Sequence, residues 1–371
     1  MFISERYFHE YNFKLSVFLI CVLIILEVKL MQKMLEKGPL LDEKGNLTEG
    51  GYAFRLVKDY SRNSIKGLKT RIKEWDYYFI HDDEYGIALT IDDNSYMGMA
   101  SISVLDFKNN KDITKSYITW LTFGKVAFPS SSETGNVSIK SKNYDMLFEN
   151  KNGKRHLLCS MKNVVKGKNF TCDITLENSL DDSMVIATPF KKKRHFYYNQ
   201  KINLLIGSGI FSFGDIKHEF KLENTLGVLD WGRGVWTYSN TWYWSSLNAK
   251  QDGHNIGFNL GYGFGDTSAA SENMFFFDDK AYKLEDVTFN IPKDSKGRDD
   301  FMKEWTFTSK SGDINLTFRP TIDRYSNTNA LIIQSNQHQV FGYFSGTIRV
   351  GEETYKLNNL LGFAEKVKNR W

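Results

Sequence analysis

From Asp76 onward the chain runs in short segments in which apolar and polar residues alternate, separated by clusters of Gly, Asn, Asp and Ser. The alternation is cleanest in Ile216-Lys-His-Glu-Phe-Lys-Leu222, where every second residue is apolar or His and the others are charged, the signature of a strand with one wet face. Residues 77–81 and 86–91 bracket Asp82-Asp83-Glu84-Tyr85 as a hairpin. Residues 144–149 and 156–161 bracket Asn150-Lys-Asn-Gly153, whose Asn-Gly pair supplies the positive φ angles that tight hairpins need. Further reversals are predicted at 278–280, 309–313 and 351–353. Helical periodicity is confined to residues 298–305 and to one turn at residues 31–37. The pattern predicts an all-β protein whose antiparallel strands close into barrels or stack as sandwiches.

At 371 residues the chain exceeds what one hydrophobic core usually serves, so two β halves are expected. The sharpest break in composition is Lys191-Lys-Lys-Arg194 after Pro189. It divides the chain into an apolar extension (residues 1–37), an N-terminal β half (38–190) and a C-terminal β half (191–371). The four cations read first as a solvated crossing, and second as an anchor for an anionic headgroup or phosphate.

Aromatic residues make up 15% of the chain and only five prolines interrupt it, which reinforces the β reading. The formal net charge of +4 is dispersed, so nucleic acid is not expected as a partner. Three cysteines build no disulfide framework. A bridge between Cys159 and Cys172 is conceivable, with a reduced pair the blander reading, and no His or Cys spacing fits a metal site. Residues 15–26 are apolar but shorter than a membrane span, and no small-x-small cleavage site follows Val28. Three readings stand for this segment: a weak anchor involving residues 11–30, an uncleaved signal-like segment, or an extension translated from a start upstream of Met31 or Met34. The last is favoured, and both it and the anchor place the body in the cytoplasm.

The chemistry concentrates in residues 226–244, where Asp230, Arg233 and the indoles of Trp231, Trp236, Trp242 and Trp244 share one glycine-punctuated stretch. In a regular strand Asp230 and Arg233 fall on opposite faces, unless Gly232 forms a bulge. Paired with Arg233, Asp230 is structural; desolvated beside indoles, it is a general acid. His195, Tyr197 and Asn199 share one strand parity and set an imidazole, a phenol and an amide side by side. Gly261, Gly263 and Gly265 leave a bare strand face for a ligand or a packed ring. Glu272 precedes the apolar run 274–277, and Gly362-Phe-Ala-Glu365 places a carboxylate in the closing strand. No Gly-x-Ser-x-Gly elbow, P-loop or paired His-Glu signature occurs, so the familiar hydrolase and nucleotide classes recede.

The segments Pro39–Leu47, His195–Asn203, Leu229–Trp236, Asn259–Gly265 and Gly362–Glu365 resemble the bacterial family called domain of unknown function 2804, from about residue 38 to the end. More distantly, the Asp-Trp-Gly strand and the late Gly-x-x-Glu are similar to two-domain calycin-like proteins of the hydroxyneurosporene synthase and tocopherol cyclase type, with Arg233 departing from the cyclase and hydratase pattern. The resemblance implies two lipocalin-like halves and an isoprenoid-like ligand, since those relatives bind isoprenoids and some protonate a double bond.

Together these readings place a water-poor pocket mainly in the C-terminal half. The candidate catalytic residues are Asp230, His195 and Glu272. The candidate ligand contacts are Tyr197, Asn199, Arg233, Trp236, Trp242, Trp244, Asn259 and Glu365. The expected partner is an apolar small molecule without a cofactor or metal. Either binding alone or acid–base hydration, isomerisation or cyclisation is expected of it.

Overall fold

Alternation with period two becomes strand throughout the computed structural model, which describes residues 32–330 and 333–370. The apolar segment at 11–30 lies outside the described residues. Among those described there is no α-helix and none long or apolar enough to cross a membrane; helical structure is limited to two 3-10 turns, Arg62–Ser64 and Lys69–Arg71. Two large antiparallel sheets, each curled into a half-barrel, make up the body, an all-β fold of two lipocalin-like halves. From Met34 onward they form one compact unit.

The first sheet runs in space from Lys111–Trp120 through Met97–Asp106, Tyr85–Asp93, Ile72–His81, Leu226–Val235, Phe196–Phe213, Lys168–Asn178, Lys154–Val165 and Tyr144–Lys151 to Gly135–Lys140. The motif strand Leu226–Val235 is thus inserted between Ile72–His81 and Phe196–Phe213, buried along its whole length. The second sheet contains Ser239–Gln251, His254–Tyr262 and the three long strands Ile314–Ala330, Ile333–Val350 and Glu353–Arg370.

The chain changes sheets across residues 236–238, not at the lysine run. Lys191 to Arg194 form the turn of a hairpin within the first sheet, in which Pro189 faces Phe196 and the Phe190 amide donates to the His195 carbonyl. A cluster of cations marks a solvated reversal as readily as a linker, and here it marks the reversal. Residues 298–305 are a turn followed by the strand Trp305–Thr308, because the Asp294 carboxylate accepts the amides of Lys296 and Arg298 and closes a loop where a helix was expected. The described part of residues 31–37 is extended, with Met34 bridging to Tyr52. Cys159 and Cys172 are cross-strand neighbours, both buried and both free.

Each curled sheet fills its own interior. Tyr78, Leu89, Phe170, Phe196, Leu229 and Trp231 belong to one core, and Phe258, Phe275, Trp305, Phe307, Phe318 and Phe344 to the other. Two further apolar clusters lie on the outer faces where the sheets meet. One contains Phe79, Val228, Phe341 and Phe363, the other Met184, Leu226, Phe264, Met274 and Phe276. The open space lies between these clusters, so the cavity is a feature of the interface and neither barrel interior holds it.

Candidate functional site

The motif strand is regular, and its two faces look into different environments. Odd-numbered Leu229, Trp231 and Val235 join the core of the first half-barrel. Arg233 shares that face and is fully buried. Its Nη1 donates to Asp76 Oδ1 at 3.0 Å, to the Trp75 carbonyl at 2.7 Å and to the Gly232 carbonyl at 2.9 Å, and the guanidinium lies 4.2 Å from the Trp231 ring centroid. Burial pushes the Asp76 carboxyl up, and the facing Arg233 charge opposes it.

Even-numbered Val228, Asp230, Gly232 and Gly234 face the second sheet. A Cβ on Gly232 would overlap the indole of Trp75, so this glycine exists to let the ring lie flat on the strand. Asp230 therefore points away from Arg233. Its Oδ1 accepts Asn199 Nδ2 at 2.6 Å and pairs with Lys201 Nζ at 2.8 Å, and Lys201 sits opposite Asp230 in register. The Lys201 ammonium also lies 3.8 Å from the Trp244 ring centroid.

Asp230 and Lys201 open onto a cavity of about 500 Å³ between the sheets, within the range of small-molecule sites. Trp75, Tyr77, Tyr197, Trp236, Trp242, Trp244 and Phe264 form an aromatic wall, with Trp75 stacked on Tyr197 and Trp236 edge-on to Phe264. Thr90, Ser101, Thr114 and Ser116 form a hydroxylic wing toward solvent. Most of the lining residues fall within 191–371, the half to which the sequence pointed, and strands of both sheets contribute to the wall. The reason is that strand outer faces with aromatic and small residues pack against each other, while the barrel interiors close on themselves.

Two further carboxylates line the cavity. Glu365 accepts Trp242 Nε1 at 2.9 Å and Gln339 Nε2 at 3.0 Å, and burial pushes its acid up to about 7 despite the indole hydrogen bond and the Lys201 charge. Glu272 is admitted by Gly261, where a Cβ would strike its carboxylate; burial raises its acid also, against the opposing Lys201. On the opposite wing Asp92 is pushed up to about 7 by burial, and its Oδ1 is buried without a hydrogen-bond partner. The site thus gathers Asp230, Glu272 and Glu365 around Lys201 in an aromatic chamber, with Arg324 as a second cation on its wall. Such a set favours retaining at least one proton near neutral pH. No group of acidic, His or Cys side chains suited to a metal ion occurs among the described residues.

Of the residues singled out in the sequence, the cavity brings together Asp230, Glu272, Glu365, Tyr197, Trp236, Trp242 and Trp244. Asn199 and Asn259 stand behind it. Asn199 bridges Asp230 and the Trp231 carbonyl, and Asn259 accepts Trp244 Nε1 at 2.7 Å while donating to the Glu272 carbonyl. Arg233 faces the other way. His195 precedes the Phe196–Phe213 strand, bonded through Nδ1 to the Lys193 carbonyl, and lines a basic surface cleft instead of the cavity. Burial lowers its basicity. Lys201, Trp75, Tyr77, Asp92 and Gln339 went unrecognised. The parity argument that grouped Tyr197 with Asn199 extends by two residues to Lys201, so that signal was present. The other four lie on strands whose neighbours only the fold reveals.

A search of curated proteins finds no match. Among solved structures, the chain aligns with a provisional AttH protein from Nitrosomonas europaea at 12% identity and a TM-score of 0.52, over 84% of this chain and 98% of that one. It also aligns with kievitone hydratase from Nectria haematococca at 13% identity and a TM-score of 0.48, over 85% and 96% of the two chains. The first likeness supports the two-half architecture and says nothing of activity. Residues 31–371 match the family model described as Domain of unknown function (DUF2804), and the chain belongs to that family.

Proposed function

We propose that this protein binds a predominantly apolar small molecule between its two sheets and moves a proton on it, with Glu365 as the general acid. The observation that carries this reading is a buried carboxyl group, poised near neutrality, on the wall of an aromatic cavity. A site for binding alone has no use for three carboxylates, whose burial opposes folding. In the reaction, neutral Glu365 gives its proton to a carbon–carbon double bond. The indole face of Trp242 stabilises the resulting cation. Asp230, held through Oδ1 by Asn199 and Lys201, then takes a proton from a neighbouring carbon, which isomerises the bond, or from an attacking water, which hydrates it. The hydroxylic wing gives water and a polar substrate group a route in, and Trp236 Nε1, buried without a hydrogen-bond partner, offers a donor.

A binding or carrier role is the second reading, supported by the aromatic wall and by the neutralisation of Asp230 by Lys201. Incubation with the apolar molecule that copurifies, in heavy water, separates the two. The acid–base reading expects deuterium on substrate carbon with the native chain, and none with Glu365→Gln although that variant still binds. Absence of deuterium in both, with binding intact, leaves the carrier.

A further inference from the structure

The strand Lys111–Trp120 forms the free edge of the first sheet, and its alternate residues Asp112, Thr114 and Ser116 line the cavity. The same face continues outward to Ile118, 50% exposed, and Trp120, 63% exposed. Beyond the strand, Leu121 is 58% exposed and Phe123 is 44% exposed. Four large apolar side chains within six residues, all facing solvent, form a local patch of the kind that marks an interaction site.

The fold holds this patch in place. Leu121 and Phe123 both occupy the left-handed region, with φ of 58° and 46°, which non-glycine residues seldom adopt. Their amides donate to the carbonyls of Tyr96 and Ser95, at 2.8 and 2.9 Å. Thr122 between them turns inward, and its Oγ1 donates to Asp93 at 2.8 Å. The fully buried Asp93 carboxylate also accepts the amides of Ser95 and Gly124. A buried anion with three donors thus rigidly directs Leu121 and Phe123 outward, a conformation that local propensity opposes. Under this loop runs a groove whose lining shares Asp92 and Met99 with the central cavity.

We propose that the Trp120–Phe123 loop docks the protein on a lipid bilayer carrying anionic headgroups, so that the cavity loads its apolar ligand from the membrane. This inference rests on the apolar-ligand reading above. Three observations select a bilayer over a protein partner. The patch is four side chains within residues 118–123, against the roughly 20–30 residues a side of a stable protein interface. Trp, Leu and Phe are the residues that settle at the headgroup boundary. Lys125 follows the loop, exposed and without a carboxylate partner among the described residues, as attraction to anionic lipid requires. The face running from Trp120 through Ser116 to the cavity supplies a path from apolar patch to binding site.

The test is flotation of the full chain with ligand-free vesicles, either phosphatidylcholine alone or phosphatidylcholine mixed with phosphatidylglycerol. The native chain is expected to partition onto the mixed vesicles. The triple variant Trp120→Ser, Leu121→Ser, Phe123→Ser should lose about ten-fold or more of that partitioning. Lys125→Glu should weaken binding several-fold on mixed vesicles and leave it unchanged on phosphatidylcholine. Residues 1–31 are present in every variant, so the differences report on the loop. Equal partitioning of native and triple-variant chains overturns the proposal. So does failure of the native chain to bind, including the case where it self-associates through the patch instead. Because the vesicles carry no ligand, a failure here leaves the deuterium experiment intact, and a failure of deuterium transfer leaves vesicle binding intact.

Discussion

The two faces of the motif strand carry the same kinds of side chain under opposite accounting. On the inner face Arg233 meets one carboxylate, Asp76, and three backbone carbonyls, so a buried cation has a near-complete set of partners. On the outer face one lysine serves Asp230 while Glu272 and Glu365 stand close enough to feel both charges. The inner set is balanced and closed. The outer set is carboxylate-rich and borders a void. A balanced buried pair holds a fold in register, whereas an unbalanced one holds a proton, and the difference separates scaffold from chemistry along ten residues of a single strand.

The largest way to break the contrast is to unbalance the inner face. Arg233→Met leaves Asp76 buried beside Trp75 with its principal cation gone, and the expected loss is about 3–5 kcal/mol of unfolding free energy, read by urea denaturation. Adding Asp76→Asn to the same chain should recover part of it, because the stranded charge disappears. A loss below about 1 kcal/mol would show that the pair is dispensable and that the scaffold role assigned to this face is wrong.

The next effect has the opposite sign and tests the outer face. Glu365 binds its proton more tightly in the folded chain, with its acid raised from 4.5 to about 7. Its contribution to stability is therefore complete below about pH 4.5, falls as pH rises toward about 7, and is flat beyond. Glu365→Gln removes that slope. At pH 8 the variant should be more stable than the native chain by up to about 3 kcal/mol, and the two should converge near pH 4, in paired denaturation curves across pH. Gain of stability with loss of proton transfer is the expected signature of a carboxyl kept for function. A variant that is less stable at pH 8 would place Glu365 with the scaffold.

How much of this contrast was readable in the sequence follows from what each face depends on. The alternation of Leu229, Asp230, Trp231, Gly232 and Arg233 sufficed to separate Asp230 from Arg233, since side-chain parity in a strand is local. The hairpins were legible for the same reason: turn residues at 82–85 and 150–153 act on their neighbours alone. The partner of Arg233 was not. Asp76 lies 157 positions from it, and such a pairing is set by sheet order, which no short-range pattern encodes, whereas Gln339 faces Glu365 across the hairpin that turns at 351–353. The change of sheet at residues 236–238 also escaped notice, because the composition break at Lys191 is louder than a three-residue crossing between two apolar strands. That the pocket lies between the sheets met the same limit: whether aromatic rings fill a barrel or cover its outside depends on which parity the closure turns inward.

The smallest expected effect sharpens the comparison by exclusion. His195 shares strand parity with Tyr197 and Asn199, yet it stands before the strand begins, in a basic cleft with Lys44, Lys66 and Lys192, separate from the cavity. Burial lowers its basicity, Lys192 and Arg71 lower it further, and the Lys193 carbonyl opposes them. Such a histidine is neutral when the chain is most stable, and it subtracts stability as pH falls below its ordinary value of 6.5. His195→Gln keeps a hydrogen-bonding group at the turn, so the expected change at pH 8 is about 1 kcal/mol or less, with a slightly shallower loss on acidification. Proton transfer in the cavity should keep its rate and its pH profile, because the proposed reaction takes its acid from Glu365. A profile that loses an inflection between pH 5 and 7 in His195→Gln would return the imidazole to the chemistry and move the reactive face of the molecule to the basic cleft.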